Sequence, residues 1–328
     1  MKKNILIAGA VFCASLVFTS CLSLGFLSSD SLIEMALNTT GEMLTNEELN
    51  AAKKGVKEVS KLNPSQEYYL GRTIAATLLS NYEIYDNPEV TQYLNDICGA
   101  LLLNDDDKVP YNGYSVAILD TDELNAFSTC GGHILVTKGM LETVKTEDQL
   151  ASVIAHEIGH IQLKHSIEGI KSSRKKDLNS QIFKIVAGNI TSTVVEEFLE
   201  SNDFLSEEIA SAFGTSAKET VMVFSDSVTA GVGVLTERGY SKTQEFEADE
   251  YAVLLLENAG YNPKEIKEML TAIRVKAKAN RKLFANLSKT HPSPNLRKMN
   301  LKSDLRKFKK CKTDPVRVER FAKVMENL

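Results

Sequence analysis

The chain is 328 residues long, enough for one catalytic domain carrying an insertion, and its apolar share of 43% suffices for a sizeable core. Acidic residues outnumber basic ones, 43 to 38, so no protein-wide positive field exists to draw a nucleic acid, and none is expected as a partner.

The first residues read as an address rather than as part of a fold. Lys2 and Lys3 precede an apolar run over residues 5–18, and the small pair Thr19-Ser20 leads into Cys21. Residues 1–20 therefore read as a lipoprotein signal peptide, with Cys21 lipidated after cleavage. Two or three acyl chains there suffice to hold the chain at a membrane without a spanning helix. Phe18 departs from the aliphatic residue usual at its position, which leaves an ordinary cleaved signal, or an uncleaved anchor reaching Phe26, as alternatives. All three export the body from the cytoplasm. Loss of Lys2 and Lys3 moves the formal charge from −5 to −7. Cys98, Cys130 and Cys311 then remain in an oxidising compartment, which permits one disulfide and one free thiol, with the pair left open. Beyond residue 30 no stretch approaches the ~20 continuous apolar residues of a spanning helix.

Residues 21–63 read as a tether and an N-terminal helix, opened by the Thr45/Glu48 capping box and closed by Asn63-Pro64. The domain proper is expected over 64–310. An amphipathic helix comes first, with Tyr69, Leu70, Ile74, Ala75, Leu78 and Leu79 at helical spacing. A second begins near Asn87-Pro88 and turns Val90, Tyr93, Leu94, Ile97, Leu101 and Leu102 inward. Residues 104–107 read as a solvated turn, because the spaced ligands of a calcium loop are missing. Strands are expected over 114–119 and, after Gly131-Gly132, over 133–137. Thr146 opens the next helix, whose buried stripe is Ala151, Ile154, Ala155 and Ile158. Residues 168–240 read as a helical insertion packed on the domain, a lid or a dimerisation element being the alternatives. A helix after Lys242 stops at Asn258-Ala259-Gly260, and Asn262-Pro263 is expected to cap its successor. The basic run 306–312 reads as a solvated face, with anionic lipid the other contact open to it, and 311–328 as a C-terminal tail.

The chemistry is concentrated in His156-Glu157-Ile158-Gly159-His160. Two histidines four residues apart on a helix share one face, so both imidazoles can hold one metal ion from the same side. Glu157 sits about 100° further round, within reach of a water on that metal without being a ligand. Catalytic zinc sites usually take three protein ligands, so a third is expected downstream. Glu245-Phe246-Glu247-Ala248-Asp249 is the best source. Glu245 and Asp249 lie at i and i+4 and share a face, while Glu247 points elsewhere. Glu245 would bind the metal and Asp249 would orient a ligating histidine from behind.

These runs, with Thr290-His291-Pro292 and Arg297 further on, resemble the HExxH zinc metallopeptidase family that includes the CAAX prenyl endopeptidase, HtpX and BepA. The resemblance extends over Asn125-Ala126-Phe127, Gly131-Gly132-His133-Ile134-Leu135-Val136, Gly139-Met140-Leu141 and Ala259-Gly260-Tyr261-Asn262-Pro263. It implies a mainly helical α+β fold, a zincin-like (gluzincin) metallopeptidase domain with a small sheet beside the HExxH helix. It implies one Zn2+ per chain on His156, His160 and Glu245, with Asp249 supporting. His291 and Arg297 correspond to a histidine and an arginine near the metal, there to stabilise an oxyanion or, in a latent state, to block the site. Cys130 stands where the family often has proline; an inert thiol is the simpler reading, a metal ligand or a disulfide partner the other. Membrane-spanning helices like those of the CAAX endopeptidase and HtpX are missing, which favours the soluble periplasmic BepA-like branch. His165, nine residues after His156, reads as structural, and His133 as a strand residue near the cleft.

The implied reaction is hydrolysis of a peptide bond, with Glu157 as the base and an extended substrate backbone paired to the strand over 132–136. Expected partners are unfolded or misassembled envelope polypeptides, at the periplasmic side of a membrane to which Cys21 ties the chain. One rival is a latent protease acting mainly as a chaperone or assembly factor. A purely structural zinc protein is the other, and it would have no use for Glu157.

Overall fold

Asparagine followed by proline starts two of the helices. In α1 (Pro64–Leu79) the side chain of Asn63 accepts from the amide of Gln66 in a capping box, and in α2 (Pro88–Leu102) Asn87 Oδ1 accepts from Val90 N at 3.1 Å. Asn63-Pro64 thus opens a helix, whereas its turn chemistry alone reads equally well as the end of the one before. The computed structural model describes residues 62–103, 109–174, 217–308 and 313–328, all within one compact unit. The signal peptide, Cys21, the Thr45/Glu48 helix, the turn at 104–107, Cys311 and residues 175–216 of the insertion lie outside the described residues.

Three short strands follow: β1 (Ser115–Leu119), β2 (Ala126–Thr129) and β3 (His133–Thr137). Their order in the sheet is β1-β3-β2, with β3 parallel to β1 and antiparallel to β2. This corrects the expectation that the strand over 132–136 receives substrate. β3 is central, hydrogen-bonded on both sides, and has no edge to offer. The edge next to the site belongs to β2, which strand patterning misses because all of its four residues are buried.

Alternation along the strands gives the sheet two apolar faces. Val116, Ile118, Ala126, Ile134 and Val136 join one core cluster, and Leu119, Phe127 and Leu135 join the other with Leu70, Ile74 and Leu78 of α1. The first face is covered by α2 and by α4 (Glu147–Gln162), which follows the single turn α3 (Lys138–Leu141). Thr146 caps α4, accepting from Gln149 N at 3.2 Å. The expected stripe of α4 is buried, and so is every other residue from Glu147 to Ile161.

The second half of the domain encloses α4. After α5 (Ala217–Gly233) and a π-helical turn (Val234–Arg238) come α6 (Lys242–Asn258), α7 (Glu265–Ala279), α8 (Ala285–Thr290) and α9 (Pro294–Asn300). A 3-10 turn (Asp304–Lys307) precedes α10 (Pro315–Met325). Helix α6 ends as expected, with Gly260 at φ 73°. Asn262 does not cap α7: its side chain accepts from Lys264 N at 3.1 Å within a turn, and α7 starts at Glu265 with no side-chain cap. The tail is part of the packing. From α10, Arg320 forks onto Glu147 (Nε to Oε2 2.7 Å) and Arg317 Nη1 donates to Asp148 Oδ1 at 3.2 Å. Both carboxylates are 0% exposed. Among the described residues, no helix is long and apolar enough to cross a membrane. Cys98 and Cys130 are buried free thiols, each pushed up to about 12 by burial, so the two are not paired with each other.

Two glycines separate packing from propensity. A Cβ on Gly71 of α1 would lie 1.4 Å from the carbonyl oxygen of Cys130, so only glycine lets α1 press on the β2–β3 hairpin. A Cβ on Gly99 of α2 would meet nothing within 4 Å. Urea unfolding should show Gly71→Ala losing about 3 kcal/mol or more, while Gly99→Ala gains roughly 0.5–1 kcal/mol from helix propensity.

Candidate active site

Helix α4 carries His156 and His160 one turn apart, and their Nε2 atoms are 3.1 Å from each other. Helix α6 packs across α4, and the approach is close at Gly159, where a Cβ would stand 3.0 Å from the carbonyl oxygen of Ala248. That contact brings Glu245 to the histidines, with Oε1 3.4 Å from His160 Nε2 and Oε2 3.8 Å from His156 Nε2. His291, just past α8, approaches from the far side, with Nε2 3.8 Å from Glu245 Oε1. Ligand atoms of His156, His160, Glu245 and His291 all lie within 4.8 Å of one another.

The surroundings hold these groups in ligand form. Asp249 Oδ1 is 3.1 Å from His156 Nδ1, so it takes that ring's N–H and leaves Nε2 with its lone pair. Burial lowers His156 to about 4, helped by the Arg297 charge, and puts His160 well below its ordinary value, so both rings are neutral. Asp249 stays charged: burial works against it, but Arg297 and the hydrogen bonds from His156 and Arg297 outweigh that and hold it below the usual carboxylate range. Arg297 donates from Nε to Oδ2 at 2.9 Å and from Nη2 to Oδ1 at 2.5 Å. Two of its nitrogens thus reach Asp249, Nη2 also lies 3.1 Å from His156 Nδ1, and Nη1 stands 4.0 Å from Glu245 Oε2.

Glu157 is 4% exposed and receives a hydrogen bond from Ser128 Oγ at 2.7 Å. Burial pushes its carboxyl up to about 7 against the pull of that hydroxyl, with Glu245 adding to the rise. A carboxyl poised near neutrality suits a group that takes a proton and gives it back.

One observation tests whether the residues fit a metal. Both oxygens of Glu245 are buried and make no hydrogen bond among the described residues, beside two neutral nitrogens that face each other. A buried carboxylate without a hydrogen bond is costly, and a cation among these atoms would satisfy it. Two imidazoles and a carboxylate form a donor set suited to zinc. Cys130 lies outside this cluster, and so does Glu247.

Sequence reasoning passes over three residues that touch the site. Ser128 belongs to β2, on the same sheet face as Ala126, which faces α4. Tyr240 stacks on His160 with centroids 4.2 Å apart and planes 22° from parallel. His165 lies with Nδ1 2.9 Å from His160 Nδ1. Its position on a nominal helix says otherwise, but α4 ends at Gln162, and Lys164, at φ 58°, turns the chain back. Of the five histidines only His133 stands apart, against Ser115 and the ring of Tyr68.

A mainly helical domain with a small sheet beside a buried HExxH helix, and a His/His/Glu cluster at its end, defines a metallopeptidase of the gluzincin kind. The family model described as Peptidase family M48 matches residues 88–304, and the chain belongs to that family. It is 23% identical over 244 residues to the beta-barrel assembly-enhancing protease of Yersinia pestis, covering 74% of this chain and 44% of that one. The protein of the same name from Escherichia coli (strain K12) is 22% identical over 253 residues, with the same shares covered. Mitochondrial metalloendopeptidase OMA1 of Arabidopsis thaliana is 27% identical over 151 residues, 46% of this chain and 24% of that one. The chain thus spans less than half the length of these relatives.

If Glu245 is the third ligand, Glu245→Ala should abolish zinc binding measured by chelator competition. Asp249→Asn should weaken it by roughly 10–100-fold, the usual cost of losing a partner behind a ligand.

Proposed function

We propose that the chain is a zinc-dependent endopeptidase of the bacterial cell envelope, acting on unfolded or misassembled envelope proteins. The observation that carries this reading is the buried carboxylate of Glu245, without a hydrogen bond among the described residues, beside two neutral imidazoles, with Glu157 next to them on the same helix. Zinc would be held by His156, His160 and Glu245, and when bound it polarises the scissile carbonyl and acidifies water. Glu157, fixed by Ser128, accepts the proton of the attacking water and passes it to the leaving amine. Asp249 keeps His156 in the ligating tautomer. Arg297 holds Asp249 through Nε and Nη2 and lies directly against His156 through Nη2.

Substrate main chain would add to the outer edge of β2. Asn125, Phe127 and Thr129 face Thr137, Leu135 and His133, and the amide of Thr137 donates to Asn125 O at 3.1 Å. Alternation then points the carbonyls of Ala126 and Ser128 away from β3. Pairing of this kind reads backbone more than side chains, which suits extended, unfolded segments. The envelope location is supported by the signal-like sequence of the N-terminus and by kinship with proteases named for β-barrel assembly. Cys21 would supply a lipid anchor on the periplasmic side of a membrane.

A second reading rests on His291. Its ring completes the four-residue cluster, and the hydroxyl of Thr290 lies 2.9 Å from its Nδ1, so Nε2 is left to face the cluster. His291 would then fill the position that substrate and water need, and the chain would rest latent, serving mainly as a chaperone or assembly factor for envelope proteins.

Two variants separate the readings on casein or another unfolded substrate. Glu157→Gln should keep zinc and lose cleavage by about 100-fold or more, and equal activity at equal zinc occupancy would refute the mechanism. His291→Ala should raise the turnover of a latent enzyme; an inactive variant would assign His291 directly to the oxyanion.

A further inference from the structure

The metal cluster has two histidine ligands, and each needs a partner behind its ring. His156 has Asp249. Behind His160 the partner is another imidazole: its Nδ1 faces Nδ1 of His165 at 2.9 Å. If Nε2 of His160 carries the lone pair for the metal, its Nδ1 must carry the hydrogen and donate it. His165 Nδ1 must then be the acceptor, which puts the hydrogen of that ring on Nε2. Nε2 of His165 in turn lies 3.3 Å from Glu247 Oε2. Each tautomer follows from the one before, and the series ends on a carboxylate whose side chain is 51% exposed.

We propose that His165 and Glu247 are positioning residues of the metal site, a hydrogen-bonded relay that fixes the tautomer and orientation of His160 as Asp249 fixes those of His156. This rests on the reading of His156, His160 and Glu245 as metal ligands. The relay is built into the backbone at both ends. Lys164, at φ 58°, turns the chain so that His165 folds back on the helix it has just left, and Lys164 Nζ is tied to Glu67 Oε1 at 2.6 Å. On α6, Glu247 lies two residues from Glu245 and two from Asp249, so one helix supplies a ligand and the outer group behind each histidine. Tyr240, stacked on His160, covers a face of that ring. The arrangement is uneven. Asp249 is sealed in and locked by Arg297, whereas Glu247 meets solvent. The His160 side is thus where the metal site communicates with the surface.

The test is zinc affinity of the full chain by chelator competition, with cobalt(II) absorption as a second readout. His165→Leu should weaken zinc by roughly 10–100-fold and move the cobalt bands. His165→Gln, whose amide accepts on one side and donates on the other, should restore most of both. Glu247→Ala changes a half-exposed position, so it tests the relay even if His165→Leu fails to fold. It should weaken zinc in the wild-type background and cost nothing further beside His165→Leu, because the relay is already cut. Wild-type affinity in Glu247→Ala and His165→Leu, or equal losses in the Leu and Gln variants, would overturn the relay. Glu245→Ala is the control for the reading beneath it. If that variant binds zinc normally, the metal-site assignment fails; if it alone loses zinc, only the relay does.

Discussion

The structure depends on the complete burial of α4. A helix enclosed on every side has no solvent to satisfy its charged groups, so each one needs a partner from a neighbouring element. At its start, Glu147 receives Arg320, Tyr93 and Tyr261, and Asp148 receives Arg317. At its far end His156 meets Asp249, Glu157 meets Ser128 and His160 meets His165. Leaving one buried charge uncompensated costs on the order of 3–5 kcal/mol, a large part of the roughly 5–15 kcal/mol that holds a domain together. Against surroundings satisfied this closely, the two oxygens of Glu245, without a hydrogen bond among the described residues, stand out. The rule that explains the partners of α4, a partner for every buried charge, therefore also marks the place that a cation would fit.

That requirement explains why elements distant in sequence converge. Helix α10 lies at the end of the chain, yet its two arginines neutralise the first turn of the active-site helix. Helix α6 spaces Glu245 and Asp249 so that one face brings Glu245 into the cluster and Asp249 behind His156. The approach of α6 to α4 is set at Gly159, inside the HExxH run itself. The variable residues of that run are thus constrained by packing while the histidines and the glutamate are constrained by chemistry. Fold and site are the same set of contacts seen from two ends of one helix.

Much of this is legible in the sequence where the information is periodic and local. His156 with His160, and Glu245 with Asp249, each lie one turn apart, so helical periodicity alone pairs them. The stop at Gly260 and the start at Thr146 follow from backbone chemistry in the same way. What escapes is set by tertiary contact. β2 is buried in all four residues and shows no alternation, which hides both the strand and Ser128. His165 is misplaced by extrapolating a helix through Lys164, a residue with nothing in its side chain to announce a left-handed conformation. Arg317 and Arg320 fall in what reads only as a C-terminal tail, because their partners lie on an element about half the chain away.

The segment carrying His291 is tied to the rest of the site through backbone as well as through the His291 ring. Gly239, at φ 67°, sits so close to Thr290 that a Cβ there would lie 2.0 Å from the Thr290 carbonyl oxygen. The residue after Gly239 is Tyr240, stacked on His160, and the residue after Thr290 is His291. One tight backbone contact therefore joins the ring stacked on His160 to the ring that completes the cluster.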